Sequence, residues 1–233
     1  MANASGLLFI VSHVRDPDKT PDELYNRWLD EEVIPKVLNS GHVKLALRYK
    51  NVDPSAEIPY VALYPVDDWT FMGSPDMRKL DEKCKSSSML QTDDVFELIH
   101  FEMKPFEKIQ THEGYHHQND PGHERGKSLL CVQMEPGEGQ EEELDDWYRR
   151  HHLDVISMCQ GYRRSTRYKR KDGVIPRYLA LHEFDCEADE LPTKQLMQVC
   201  ATTWTRRIKK GTKLLIRDVF TLVQAHGDTD MKL

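Results

Sequence analysis

The chain has 233 residues, 39% of them hydrophobic and 30% charged, with a formal net charge of -7. This composition describes an ordinary folded protein and supplies no basic stripe to neutralise a phosphate backbone, which excludes nucleic acid as a partner. The first apolar run, 7–11, is far too short for a signal core or a membrane span, so a cytoplasmic protein with no membrane partner is expected, and five cysteines without C-x-x-C spacing read as reduced core thiols.

In chain order, Gly6 to Val14 is an apolar run of strand length. Thr20-Pro21-Asp22-Glu23 then reads as an N-cap, a first-turn proline and a capping-box glutamate, with Leu24, Trp28, Glu31, Pro35 and Leu38 on one face of the helix as far as Gly41. Strands are expected at 44–50 and 60–66, a weaker helix capped by Ser74 follows, and 94–103 closes the unit as a strand. The stretch 105–127 is polar, holds glycines and a proline, and reads as a surface connection. The same order then returns: strand 128–134, helix 141–159, strands 165–170 and 177–184, helix 193–210 and strand 213–223.

The return is visible in the residues themselves. Glu23-Leu24, Trp28, Gly41, Arg48-Tyr49-Lys50 and Tyr60-Val61-Ala62-Leu63 recur as Glu143-Leu144, Tyr148, Gly161, Arg167-Tyr168-Lys169 and Tyr178-Leu179-Ala180-Leu181. Order and spacing kept over four segments mean a duplicated domain. The expected fold is α+β: two tandem ferredoxin-like βαββαβ repeats, 1–104 and 128–233, joined by the linker 105–127. Each repeat leaves one sheet face bare, so the two should pack sheet to sheet as an intramolecular, pseudo-dimeric α+β barrel.

The residues that could carry chemistry lie mostly in the second repeat. On a regular helical wheel Leu144, Trp147, Tyr148, Val155 and Met158 face the sheet, with His151 near the centre of that stripe and His152 on its flank, and the matching positions of the first repeat are Glu31 and Glu32. An ionisable group on a buried face is costly unless paired or used. His13, His100 and His182 lie in or at the end of apolar strands, and Tyr64 holds the place of His182 in the first repeat. Tyr178 and His182, four apart on one strand, share a side and could converge with His151 or His152; histidine and tyrosine around an apolar pocket suit proton removal beside a carbonyl. The alternative is that these tyrosines fill the core. His112, Glu113, His116, His117, Asp120, His123 and Glu124 cluster near the connection without the helical spacing of a metal site, so no metal is expected there, and no nucleotide or serine-hydrolase motif is present.

The run Trp147-Tyr148-Arg149-Arg150-His151-His152-Leu153-Asp154-Val155, with Gly161-Tyr162, Arg167-Tyr168 and Tyr178-Leu179-Ala180-Leu181-His182-Glu183-Phe184, resembles the EthD-like branch of the dimeric α+β barrel superfamily. Asp154 replaces that branch's usual proline, and the first repeat carries Glu31 and Glu32 in place of histidine, a degenerate site. The resemblance implies a cofactor-independent enzyme that handles a hydrophobic, carbonyl-bearing, polyketide-like molecule in secondary metabolism as a cyclase, dehydratase or monooxygenase. His151, His152, His182 and Tyr178 would be catalytic, and Trp147, Tyr148, Tyr64, Glu31, His13 and His100 would line the substrate site. A non-catalytic binding protein for a hydrophobic metabolite and a haem-binding protein are the alternatives, and a homodimer is compatible with all three.

Overall fold

The structure, a computed structural model, describes residues 5–115 and 125–233. The chain divides into two compact units, Met1–Phe106 with Val223–Leu233, and Glu107–Leu222. Both are mixed α+β with antiparallel strands.

In the first unit strand β1 (Gly6–Val14) precedes helix α1 (22–38), strands β2 (Leu45–Asn51) and β3 (Tyr60–Val66), helix α2 (Pro75–Lys85) and the start of β4 (Ile99–Glu113). β3 is central, pairing with β1 so that Leu8 opposes Tyr64 and Ile10 opposes Ala62, and with β2 so that Ala62 opposes Arg48. Leu8, Ile10, Ala62 and Tyr64 therefore share one sheet face, and there they pack with Ile34 and Val37 of α1.

Helix α1 runs Asp22–Trp28, passes through a π-helical turn, Leu29–Val33, and ends as Ile34–Leu38. Two expectations for it are corrected. Pro21, with φ -57° and ψ 153°, is itself the N-cap, and the Thr20 hydroxyl is buried without a partner, so the capping box does not form. The π turn also carries an extra residue and shifts the phase of everything after it. Ile34 and Val37 are buried instead of Pro35 and Leu38, and Glu31 is exposed.

The second unit repeats this order. β5 (Ser128–Pro136) leads to helix α3, which runs Glu141–Trp147, a π turn Tyr148–His152 and Leu153–Ser157. β6 (Tyr162–Arg170) and β7 (Tyr178–Phe184) follow, then α4 (Thr193–Cys200), α5 (Thr203–Gly211) and β8 (Thr212–Gly227). Its sheet runs β8-β5-β7-β6, with the end of β4 beyond β6. The same phase shift makes Ile156 buried and leaves Met158 81% exposed, the reverse of the regular wheel. The glycines that match across the repeat, Gly41 and Gly161, have φ of 77° and 75°, a left-handed conformation that closes the long helix in both units.

Two further expectations change. The segment 193–210 is two helices, because Thr202 turns out of the helix and its hydroxyl caps α5 through the Thr205 amide. β4 reaches Glu113, so the first part of the stretch read as a connection is strand, and it includes His112 and Glu113. The positions His116, His117, Asp120, His123 and Glu124 lie outside the described residues. All five cysteines are free thiols. Among the described residues no helix is long and apolar enough to cross a membrane.

Candidate active site

Strand register in the second unit puts polar side chains on the helix-facing side of an otherwise apolar sheet. Ser165, His182, Leu130 and Val219 form one cross-strand row, and Arg167, Ala180, Val132 and Arg217 form the next row on the same face. Helix α3 inserts Trp147, Tyr148 and His152 over them. His152 stacks on Trp147 with ring centroids 4.1 Å apart and meets Tyr148 edge-on at 5.4 Å. Leu196, Val199 and Thr205 complete a cavity of about 60 Å³ that both His152 and His182 line, their ring centroids 6.0 Å apart. Lys209, Leu215 and Arg217, all exposed, form its outer wall.

His182 is held through Nδ1, which lies 2.6 Å from Ser165 Oγ, so Nε2 is the nitrogen left for chemistry. The Tyr162 hydroxyl has one hydrogen and two acceptors in reach, Ser165 Oγ at 2.8 Å and the His112 carbonyl at 3.1 Å. Donation to the carbonyl lets Ser165 donate to Tyr162 and accept from His182 Nδ1–H, which bares the Nε2 lone pair. Donation to Ser165 reverses the chain and puts the hydrogen on Nε2. The two orientations of this chain match the two tautomers of the neutral ring, one with Nε2 as proton acceptor and one with Nε2 as donor.

Burial pulls the pKa of His182 down to about 3, with the Arg217 and Arg167 cations adding to it. The pKa of His152 falls well below its ordinary value, first through burial and then through His182, His151 and Lys209. Both rings are therefore neutral near pH 7. His152 Nδ1 is buried without a hydrogen-bond partner, at a cost of about 1–3 kcal/mol that a ligand oxygen can offset. Burial lifts the Tyr148 hydroxyl to about 12, which keeps it a donor, and it points to Met134 Sδ at 3.6 Å. Its ring lies 4.1 Å beneath the Arg167 guanidinium, which is itself anchored 3.0 Å from Asp145 and 2.8 Å from Gln110.

The other expected site residues fall elsewhere. His151 points away from the sheet, 3.0 Å from the Thr202 hydroxyl and stacked on Trp204. Tyr178 is not among the lining residues; its hydroxyl donates to Glu141 at 2.6 Å, and with Arg177 this holds the Glu141 carboxyl down to about 2. Tyr60 makes the same contact with Asp22 in the first unit, and Lys50 and Lys169 each join their carboxylate, so this is an anchor for the start of the long helix. His13 and His100 stack on each other at 4.7 Å, and neither they nor Glu31 line this cavity or the first unit's own. Tyr64 and Trp28 line the first unit's own cavity.

Superposing the π turns pairs Leu29 with Tyr148, Glu32 with His151 and Val33 with His152. The inward counterpart of the buried imidazole is thus a valine, not a carboxylate. Nothing in the sequence marks Ser165, Thr205, Lys209 or Arg217 as site residues, since only strand register and the break between α4 and α5 bring them to the histidines. A porphyrin is far larger than this cavity, so the site does not fit haem. Among the described residues no cluster of histidine, cysteine, aspartate and glutamate could hold a metal ion.

No protein-family model matches the chain. It is 27% identical to core atranone cluster protein 1 of Stachybotrys chlorohalonatus over 233 residues, covering 92% of this chain and 95% of that one. Among solved structures it is similar to a monooxygenase-like protein of Fusobacterium nucleatum, with a TM-score of 0.61 at 6% identity over 98% of this chain and 96% of that one. An anthrone oxidase-like protein gives 0.60 at 11% identity, over 96% and 93%. Chlorite dismutase of Candidatus Nitrospira defluvii gives 0.62 at 8% identity, over 98% and 93%. These neighbours have the dimeric α+β barrel fold, and at such identities the likeness is one of fold alone.

Proposed function

We propose that this chain is a cofactor-independent enzyme of secondary metabolism, built as two tandem ferredoxin-like repeats, that performs acid/base chemistry on a hydrophobic, carbonyl-bearing small molecule in the second unit. The observation that carries this reading is the pair of buried, neutral imidazoles at 6.0 Å on one apolar cavity. The name of the fungal relative, which places it in a metabolite cluster, and the anthrone oxidase-like neighbour both support it.

In this reading the reacting edge of the substrate enters the cavity and the rest lies against Lys209, Leu215 and Arg217. His182 Nε2 takes a proton from carbon beside the carbonyl; the C–H bond breaks and its electron pair moves into the enolate. His152 donates a hydrogen bond to the developing oxyanion, and the nearby cations stabilise the negative charge. Burial is the main reason that the imidazole is a weak base, and the Arg217 and Arg167 cations that add to this effect also stabilise the enolate formed beside them. Cyclisation, dehydration or reaction with dioxygen can all start from this enolate.

Proton abstraction can be measured whatever the fate of the enolate. Anthrones and aromatic β-diketones are incubated in deuterium oxide, and loss of the acidic C–H signal is monitored by NMR. The wild-type protein is expected to exchange at least one of them faster than buffer, and His182→Ala and His152→Ala to lose that acceleration. No acceleration by wild type across the panel, or full acceleration in both variants, removes the reading.

A further inference from the structure

The first unit contains the larger cavity of the two, about 180 Å³, between its sheet and its helices. For scale, a dry apolar cavity of about 150 Å³ accepts benzene. Its walls are apolar: Ile10, Trp28 and Phe101 on one side, Met77, Leu80 and Cys84 of α2 on the other. Three observations mark it as more than imperfect packing. None of the eleven residues of α2 is buried, although Met77, Leu80 and Cys84 follow one face of that helix and all line the cavity. Phe96 and Met103, at the cavity edge, are 52% and 39% exposed, an apolar mouth. Tyr64, only 8% exposed, lines the cavity, and its hydroxyl has no hydrogen-bond partner among the described residues.

The chemistry of the walls restricts the ligand. Val33 and Tyr64 stand where the second unit has His152 and His182, so the imidazole pair on which the second unit's chemistry rests has no counterpart here. No cation lines it; the charged lining group is Asp81, whose pKa burial raises, and this disfavours anions. We propose that this cavity is a second, non-catalytic binding site for a small uncharged aromatic molecule, one ring with short substituents, whose hydroxyl or carbonyl oxygen hydrogen-bonds to Tyr64.

Titration of the full chain with 4-ethylphenol, ethylbenzene and 4-ethylbenzoate, by calorimetry and ligand-observed NMR, tests it. 4-Ethylphenol should bind saturably and 4-ethylbenzoate should not. Tyr64→Phe, which changes one oxygen, should weaken 4-ethylphenol about 3- to 10-fold and leave ethylbenzene unchanged, the loss of one hydrogen bond. Ala62→Leu, which fills the cavity, should remove both while His152→Ala affects neither. Absence of saturable 4-ethylphenol binding by wild type, full affinity in Tyr64→Phe, or loss in His152→Ala instead overturns the proposal.

Discussion

Where the second unit presents His152 and His182, the first presents Val33 and Tyr64, and the cavity above them is about 180 Å³ instead of about 60 Å³. The covering helices differ in the same sense. α4 and α5 bury Leu196, Val199, Thr205 and Ile208, whereas no residue of α2 is fully buried and Leu80 packs on the core only half-covered. What the units share is equally instructive. Both have the π turn, the left-handed glycine after the long helix, a buried arginine at Arg48 or Arg167, and the tyrosine–carboxylate–lysine anchor at the helix start. A feature present in both is explained by architecture; one present only beside the imidazoles is a candidate for chemistry. By that test Tyr178 belongs to the scaffold, and Ser165, Tyr148 and Arg217 to the site.

The strongest way to break this comparison is to give the second unit the first unit's residues. His152→Val with His182→Tyr should lower enzyme-catalysed proton exchange by roughly 10²- to 10⁴-fold, the usual worth of a positioned acid or base. Circular dichroism and a melting curve establish that the variant is folded. Exchange that survives the double change would place the chemistry elsewhere.

A stability contrast comes next. Arg164 and Glu183, 2.9 Å apart and 4% and 1% exposed, form a buried ion pair in the second unit. Burial alone would raise the Glu183 pKa, but Arg164 and Arg125 hold it low. The corresponding first-unit positions are Leu45 and Pro65, with no charge. Arg164→Leu should destabilise by about 3–5 kcal/mol in urea unfolding, since it strands a carboxylate, and adding Glu183→Leu should recover most of the loss. A double variant as unstable as the single one would show that the charges contribute more than mutual neutralisation.

Acid should separate the units as well. The folded pKa values of His152 and His182 lie below the unfolded value of about 6.5, so the unfolded chain binds more protons and stability falls as pH drops through about 6.5. Between pH 7 and 5 the His182 imidazole should cost about 2 kcal/mol, with His152 adding in the same direction, and His152→Val with His182→Tyr should abolish that part of the decline. Parallel denaturation midpoints for wild type and variant across this range would mean that the rings are not buried neutral.

Much of this architecture is legible in the residues. The recurring Arg-Tyr-Lys and Tyr-x-Ala-Leu segments are β2 and β3 and their copies β6 and β7, and Gly41 and Gly161 close the helices between β1 and β2 and between β5 and β6. Two local departures hide the rest. A wheel of 3.6 residues per turn has no means of anticipating a π turn, and one extra residue exchanges His152 for His151 and Val33 for a carboxylate. The partners of His182 are hidden for another reason. Ser165 lies seventeen residues away and Arg217 thirty-five, and only the register of β6, β7, β5 and β8 puts them on one face.

The smallest expected effect concerns the two helix starts that cover the cavities. Ser74 caps α2 through the Met77 amide, as Thr202 caps α5 through that of Thr205. Either change to alanine should cost its helix about 1 kcal/mol, but the two should be felt differently. α5 is tied to the core by Thr205 and Ile208, and Thr202 also holds His151, so Thr202→Ala should lower the global unfolding midpoint. α2 has no buried residue to couple it to the rest, so Ser74→Ala should speed amide exchange in Met77–Lys85 and barely move the midpoint. Equal shifts for both variants would mean that α2 is packed as firmly as α5, and with that the contrast between an open and a closed cavity would be lost.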